Sequence, residues 1–206
     1  MQTDEYQTVA REATGIYKEK GSRFLAFAYN VTTADEAKAL VREKQKEFHD
    51  ARHHCYAWRL GHGEGETKVG DDGEPSGTAG RPILGQILSA GLTNIVVIVV
   101  RYFGGIKLGT GGLIVAYKTA TADALQNAEI VLRTFDARLV VSFPYLAMNG
   151  VMKVLKDSSA RIVDQKFDTD CQISLTVRLG ERDSLVAKLT DVDGVSVDEA
   201  DGSSGD

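Results

Sequence analysis

With 206 residues, 43% hydrophobic and 26% charged, the chain can form one large domain or two small ones, and its composition excludes global disorder. The net charge of −5 is unevenly placed: residues 1–133 carry 16 basic and 16 acidic side chains, residues 134–206 carry 8 and 13. The second part is thus a poor non-specific nucleic-acid binder, and the first can bind RNA only through a local basic patch. No stretch approaches the roughly 18 apolar residues of a membrane span; the longest oily segment is Ile95–Val100, so no membrane partner is expected. Gln2, Asp4 and Glu5 open the chain without a basic patch before an apolar core, so no secretory signal is expected and the cytoplasm is the expected compartment. Cys55 and Cys171 form neither a CxxC pair nor a thiolate zinc set, and a structural disulfide is not expected there.

In chain order, 6–29 reads as two strands with a bend at Lys20-Gly21-Ser22. Thr33 reads as an N-cap and Glu36 completes a capping box, predicting a helix to about Phe48. His54 to Leu60 reads as a strand with His54, Tyr56, Trp58 and Leu60 on one face. The polar, glycine-rich run 61–80 predicts a long flexible loop, acidic at Asp71, Asp72 and Glu74. Pro82 opens a short helix to about Ala90. Ile95 to Arg101, nearly all apolar, predicts a central strand covered on both faces. A glycine loop follows, then an Ala-rich helix from about Leu113 to Glu129. From about Arg133 the elements run β-α-β-β-α-β, the split βαβ order of a ferredoxin-like domain. Domains at 1–132 and 133–200 and a polar tail at 201–206 are therefore expected.

The chemistry concentrates in three segments. Gly104, Gly105, Gly109, Gly111 and Gly112 permit unusual backbone angles and close approach of a ligand. Their amides can form an anion nest at a helix start, with Arg101 and Lys107 adding charge. The plainer reading is that they let strand and helix pack tightly. The run is not a P-loop, because Thr110 stands where that motif needs Lys, and Gly109-Thr110-Gly111-Gly112 does not give GxGxxG. Tyr102 and Phe103 can stack on bases or fill the core. The second segment, 73–83, punctuated by Pro75 and Pro82, can fold back onto the glycine loop. That would make one mixed face, with Arg81, Arg101 and Lys107 positive and Asp71, Asp72 and Glu74 negative. Third, all four histidines fall within 49–62. His53 and Cys55 share a strand face and, with an acid from 71–74, would offer metal ligands; packed or hydrogen-bonded histidines are the preferred reading, and no metal or cofactor is expected. His54, Asp72 and Glu74 are the proton-transfer groups an enzyme would need; no GxSxG elbow is present, and no catalytic residue is assigned.

Three blocks, HHCYAW at 53–58, DDGEPSGTAGRPIL at 71–84 and VVRYFGGIKLGTGGL at 99–113, resemble the signature blocks of the YigZ/Impact family. The resemblance implies an α+β protein of two domains. The first would be ribosomal-protein-S5-domain-2-like, similar to domain IV of elongation factor G. The second would be ferredoxin-like, similar to domain V of that factor. Eukaryotic relatives regulate translation by binding a protein scaffold that activates an initiation-factor kinase. That partner and their extra domain are eukaryotic, so this role does not carry over. The expected function is a noncatalytic RNA- or ribosome-associated protein with a translation-regulatory role. The alternatives are a protein-binding regulator and, behind it, an enzyme acting on a phosphorylated metabolite. The expected binding face comprises His54, Asp71, Asp72, Glu74, Arg81, Arg101, Tyr102, Phe103, Lys107 and the five glycines; oligomeric state is left open.

Overall fold

A computed structural model describes residues 4–168 and 170–200. The described residues divide into two compact units, residues 6–133 and residues 134–168 and 170–200 together with residues 4–5. The tail expected at 201–206 lies outside the described residues.

The larger unit opens with three strands, β1 (Glu5–Val9), β2 (Ala13–Glu19) and β3 (Ser22–Asn30), where the sequence suggested two. The chain turns at Lys20 and Gly21, both in the left-handed region. Helix α1 (Ala34–Glu47) starts as its cap predicts: the Thr33 hydroxyl accepts from the Glu36 amide at 3.2 Å. The Glu36 carboxylate reaches one residue further back than a standard capping box, accepting from the Thr32 amide at 2.7 Å.

Strand β4 (His53–Leu60) pairs with β5 (Glu66–Gly70). The run 61–80 is therefore not one continuous loop: a strand interrupts it, with turns on either side. Polar Glu66-Thr67-Lys68 is exposed on both faces, so β5 shows no apolar alternation. Next come α2 (Gly80–Ser89), β6 (Ile95–Tyr102), α3 (Gly109–Gln126) and β7 (Ile130–Thr134). A five-stranded sheet runs in the order β2-β3-β6-β4-β5, antiparallel throughout. β1 and β7 form a separate two-stranded sheet.

β6 is the central strand, and its apolar run is buried on both faces as expected. On one face Val97 and Val99, with Phe24 and Ala57, pack against α2 and α3. On the other face Val96, Ile98 and Trp58 pack against Ala37 and Val41 of α1. Ile83 and Ile87 of α2 are fully buried, each stabilising by about 1.5–3 kcal/mol.

The smaller unit contains β8 (Asp136–Pro144), α4 (Met148–Lys156), β9 (Arg161–Phe167), β10 (Asp170–Arg178), α5 (Arg182–Thr190) and β11 (Ser196–Glu199). Its antiparallel sheet has the order β11-β8-β10-β9. Val141, Ile173, Val151 and Leu189 are fully buried in its core, while β9 is exposed along its whole length.

A cleft between a buried ion pair and a helix start

Antiparallel register places the polar residues of the larger unit. Arg101 of β6 lies opposite Phe24 on one side and His53 on the other. Directly opposed residues in an antiparallel sheet point to the same face. Arg101 and His53 thus face α3, as does Cys55, two residues along β4. His54 points to the other face.

The turn after β5 then brings Glu74 onto Arg101. Arg101 Nη1 donates to Glu74 Oε1 at 2.5 Å, and the two side chains are only 6% and 4% exposed. The hydroxyl of Tyr117, on α3, donates to the same carboxylate oxygen at 2.9 Å. His53 Nε2 lies 3.9 Å from it. Cys55 Sγ sits 3.3 Å from the Tyr117 hydroxyl and 3.0 Å from the Asp71 carbonyl oxygen. Burial, first of all, pushes the Cys55 thiol and the Tyr117 phenol up from their ordinary pKa values; the neighbouring acids act in the same direction. Both therefore stay protonated at neutral pH. The Arg101 guanidinium stacks between Phe24 and Phe103, 5.4 and 5.6 Å from the two rings. Its Nε is buried, without a hydrogen-bond partner among the described residues.

Asp71 and Asp72 shape this wall and are spent in doing so. Asp71 accepts from the amides of Gly77, Ala79 and Gly80 at 2.8, 3.2 and 2.8 Å, which anchors the start of α2. Partial burial pushes its carboxyl pKa up, but the three amides outweigh that and hold it below the ordinary value. Asp72 accepts from the His54 amide at 2.7 Å, and its carbonyl oxygen lies 2.7 Å from His53 Nδ1.

Across from the ion pair runs the glycine segment. Gly104 packs so tightly on the Gly21–Ser22 backbone that an added Cβ would sit 2.0 Å from the Gly21 carbonyl carbon. The close approach is to the turn between β2 and β3, not between strand and helix as the tight-packing reading has it. Gly105 and Gly109 have φ of +88° and +72°, and a Cβ on either would meet nothing within 4 Å. Helix α3 begins at Gly109, four residues before the expected start. Gly109, Gly111 and Gly112 are thus its first turn rather than a loop. Gly109 enters the helix with a φ of +72°, a conformation glycine adopts without the steric cost a Cβ would bring. No side chain caps this end, and its first turn holds no acidic residue.

Between the two walls lies a cleft of about 420 Å³. Of the expected face, Glu74, Arg101, Phe103, Lys107 and Gly109 line it, whereas Asp71, Asp72, Gly104, Gly105, Gly111 and Gly112 do not. Arg52 and His53 line it too, although the sequence reading had not placed them in the binding face; strand alternation is the signal that would have found His53. Pro75, Leu108, Thr110 and Leu113 complete the lining. Other expected residues lie elsewhere. His54 is buried, its Nε2 3.0 Å from the Phe48 carbonyl oxygen. The Tyr102 hydroxyl donates to Asp50 at 2.8 Å, and Arg23 stacks on its ring. Arg81 is exposed at the start of α2 and does not line the cleft.

A cleft on a layered α/β unit with an antiparallel sheet, with a smaller α+β unit following in sequence, is the class of protein so far defined. Residues 20–125 match the family model of the Impact N-terminal domain. The chain is 33% identical over 184 residues to the Impact family member YigZ of Escherichia coli, covering 88% of this chain and 90% of that protein. It is 48% identical over 110 residues to the Impact family member in the pol 5′ region of Thermus thermophilus, covering 52% of this chain and 56% of the other. A crystal structure described as that of a hypothetical protein superposes with a TM-score of 0.74 at 30% identity, covering 99% of this chain and all of the other. The chain belongs to the YigZ/Impact family, and its α+β fold is related to solved structures similar to it. Among the described residues, no helix is long and apolar enough to cross a membrane.

Proposed function

We propose that this protein is a noncatalytic regulator that works by binding a protein partner, with translation as its setting. The observation that carries this is the pairing of the cleft's reactive groups with one another. Glu74 is held by Arg101 and Tyr117, and the Cys55 thiol behind it is buried and protonated, so neither that carboxylate nor that sulfur is free to act as base or nucleophile. What faces outward is a binding surface: exposed Lys107, Arg52 and Phe103 around an apolar cleft. The translational setting comes from the family resemblance.

RNA is the second reading, favoured by the uncapped start of α3. Against it, Arg101 is buried in an ion pair and Arg81 lies outside the cleft. Arg52 and Lys107 alone are too few to follow a polyphosphate. The domain readings accompany the proposal. The order β11-β8-β10-β9 supports a ferredoxin-like second domain, and the layered first unit is compatible with the S5-domain-2-like reading.

The test is retention of partners from nuclease-treated extract by the wild type and by Lys107→Glu. A stoichiometric protein held by the wild type and lost from the variant is the expected result. Recovery of RNA or ribosomes alone, released by nuclease and by salt, would overturn the protein reading in favour of the RNA one.

A further inference from the structure

We propose that this protein self-associates through strand β9, which pairs antiparallel with β9 of a second copy across a two-fold axis at Gln165. β9 is an edge strand: among the described residues it pairs with β10 alone. It is exposed along its whole length, so its outer row of amides and carbonyls is open to a further strand. Such edges are commonly guarded by charges that point inward over the core face. β9 has the reverse arrangement. Phe167 and Gln165 lie opposite buried Cys171 and Ile173 of β10, and so share the face on which the core of this unit is built. Two-residue alternation brings Val163 to that face, and Ile162, opposite Leu175 beyond the bulge, joins it. Yet Ile162, Val163 and Phe167 remain 41, 67 and 47% exposed. The charges of Asp164 and Lys166 lie on the opposite face. The core face of the sheet therefore ends in uncovered apolar side chains at an open edge.

The order of the side chains identifies the occupant as a second copy. With Gln165 opposite its own counterpart, Asp164 faces Lys166 and Val163 faces Phe167, and the two-fold repeats both pairs. Opposite charges then meet on one face, apolar groups on the other, and side-chain amides at the axis. Neighbouring registers fail. A slip of one residue sets Asp164 against Gln165 or Phe167 and mixes the two faces. A slip of two sets Asp164 against Asp164 in one direction and Lys166 against Lys166 in the other. The shift in register falls at Val163, at the end of the paired stretch, and leaves 164–167 regular. The Gln165 amide donates to the neighbouring Asp164 carboxylate at 2.9 Å, as expected of an amide on an open edge. Across the axis it meets a main-chain carbonyl instead, which releases Asp164 to Lys166. One short strand from each copy makes a small interface, so a reversible monomer–dimer equilibrium is expected rather than a permanent dimer.

The experiment measures self-association of the full chain by sedimentation and, at high concentration, by NMR diffusion. It compares wild type, Asp164→Lys, Lys166→Asp and an equimolar mixture of the two variants. Both positions are exposed on an edge strand, so the variants should keep the fold, which circular dichroism checks. Wild type is expected to dimerise reversibly, with amide exchange in β9 slowing as concentration rises. Either variant alone sets like charges opposite each other at both symmetry-related pairs, so its dimer should weaken roughly tenfold or more. The mixture restores both ion pairs in a heterodimer, because two lysines of one chain then face two aspartates of the other. Association of the mixture should thus return close to the wild-type level, an outcome that a merely unfolded or generally destabilised variant cannot produce. Wild type that stays monomeric up to about 1 mM would overturn the proposal. So would a dimer that neither reversal weakens, or a mixture that associates no better than its components.

Discussion

The two walls of the cleft are built on opposite principles. On the sheet side Arg101, Glu74, Tyr117 and Cys55 form a buried, mutually paired cluster, fixed by strand register and by the turn after β5. On the helix side the backbone from Gly105 to Gly111 is exposed apart from half-buried Leu108, a Cβ on Gly105, Gly109 or Gly111 would meet nothing within 4 Å, and no side chain caps the helix. The paired wall spends its polar groups on stability and leaves one donor, Arg101 Nε, over. The open wall contributes little packing and leaves its polar groups free for a ligand. Substitutions should therefore separate cleanly: stability is lost on one side, binding on the other.

The largest effect is expected at the ion pair. Glu74→Ala leaves the Arg101 guanidinium buried without its counter-charge, a change that costs about 3–5 kcal/mol in comparable buried pairs. Urea unfolding checks this, and a loss below about 1 kcal/mol would show that the sheet-side wall is not locked by the pair. Gly104→Ala comes next. Its Cβ meets the Gly21–Ser22 backbone, which cannot rotate away as a side chain can, and overpacking of this kind costs about 1–3 kcal/mol. A melting temperature equal to wild type would show that the β3 turn gives way freely.

Asp71→Ala should cost about 0.5–2 kcal/mol, the usual range for losing a side-chain cap. This site also sets a pH dependence. The folded-state pKa of Asp71 is lowered, so its contribution is present above the unfolded-state pKa, near 3.9. It is lost as pH falls through that value towards the lower folded-state one. Wild type should consequently lose more stability between about pH 5 and pH 3 than Asp71→Asn does; parallel curves would show that the three amides do not lower the pKa. Cys55 offers a kinetic check on the same wall. Because burial keeps it a thiol, alkylation by iodoacetamide should require unfolding, and its rate should rise with urea as unfolding does. Fast alkylation in buffer would break the picture of a closed cluster.

The smallest stability effect belongs to the open wall. At Gly111 an added Cβ meets nothing, so Gly111→Ala should be neutral or more stable by up to roughly 1 kcal/mol, through lower entropy of the unfolded chain. Set beside Gly104→Ala, seven residues away, it gives opposite signs for one chemical change. Equal losses at both positions would erase the distinction between the walls.

Much of this was legible in the sequence. The unbroken apolar run of β6 needs cover on both faces, and it has that cover. Thr33 and Glu36 announce the start of α1 through a local hydrogen bond that depends on no distant residue. The punctuation of 73–83 suggested a segment folding back towards the glycine loop, and Glu74, Arg101, Lys107 and Gly109 line one cleft. The cap is fixed locally, because its partners lie three residues apart, and the apolar run announces its burial although the covering helices come from elsewhere in the chain.

What the sequence could not reveal depended on partners far along the chain. Whether His53 or His54 faces the cleft turns on the pairing of β4 with β6, which sets His53 opposite Arg101. Whether Arg101 is a free cation or half of a buried pair turns on where Glu74 arrives, 27 residues earlier in the chain. Tyr117 reaches that carboxylate only because α3 packs on the same face of the sheet. Polar β5 becomes a strand through its pairing with β4 rather than by its own alternation. In each case a backbone or charged group is satisfied by a distant partner, and only the packed tertiary structure supplies it.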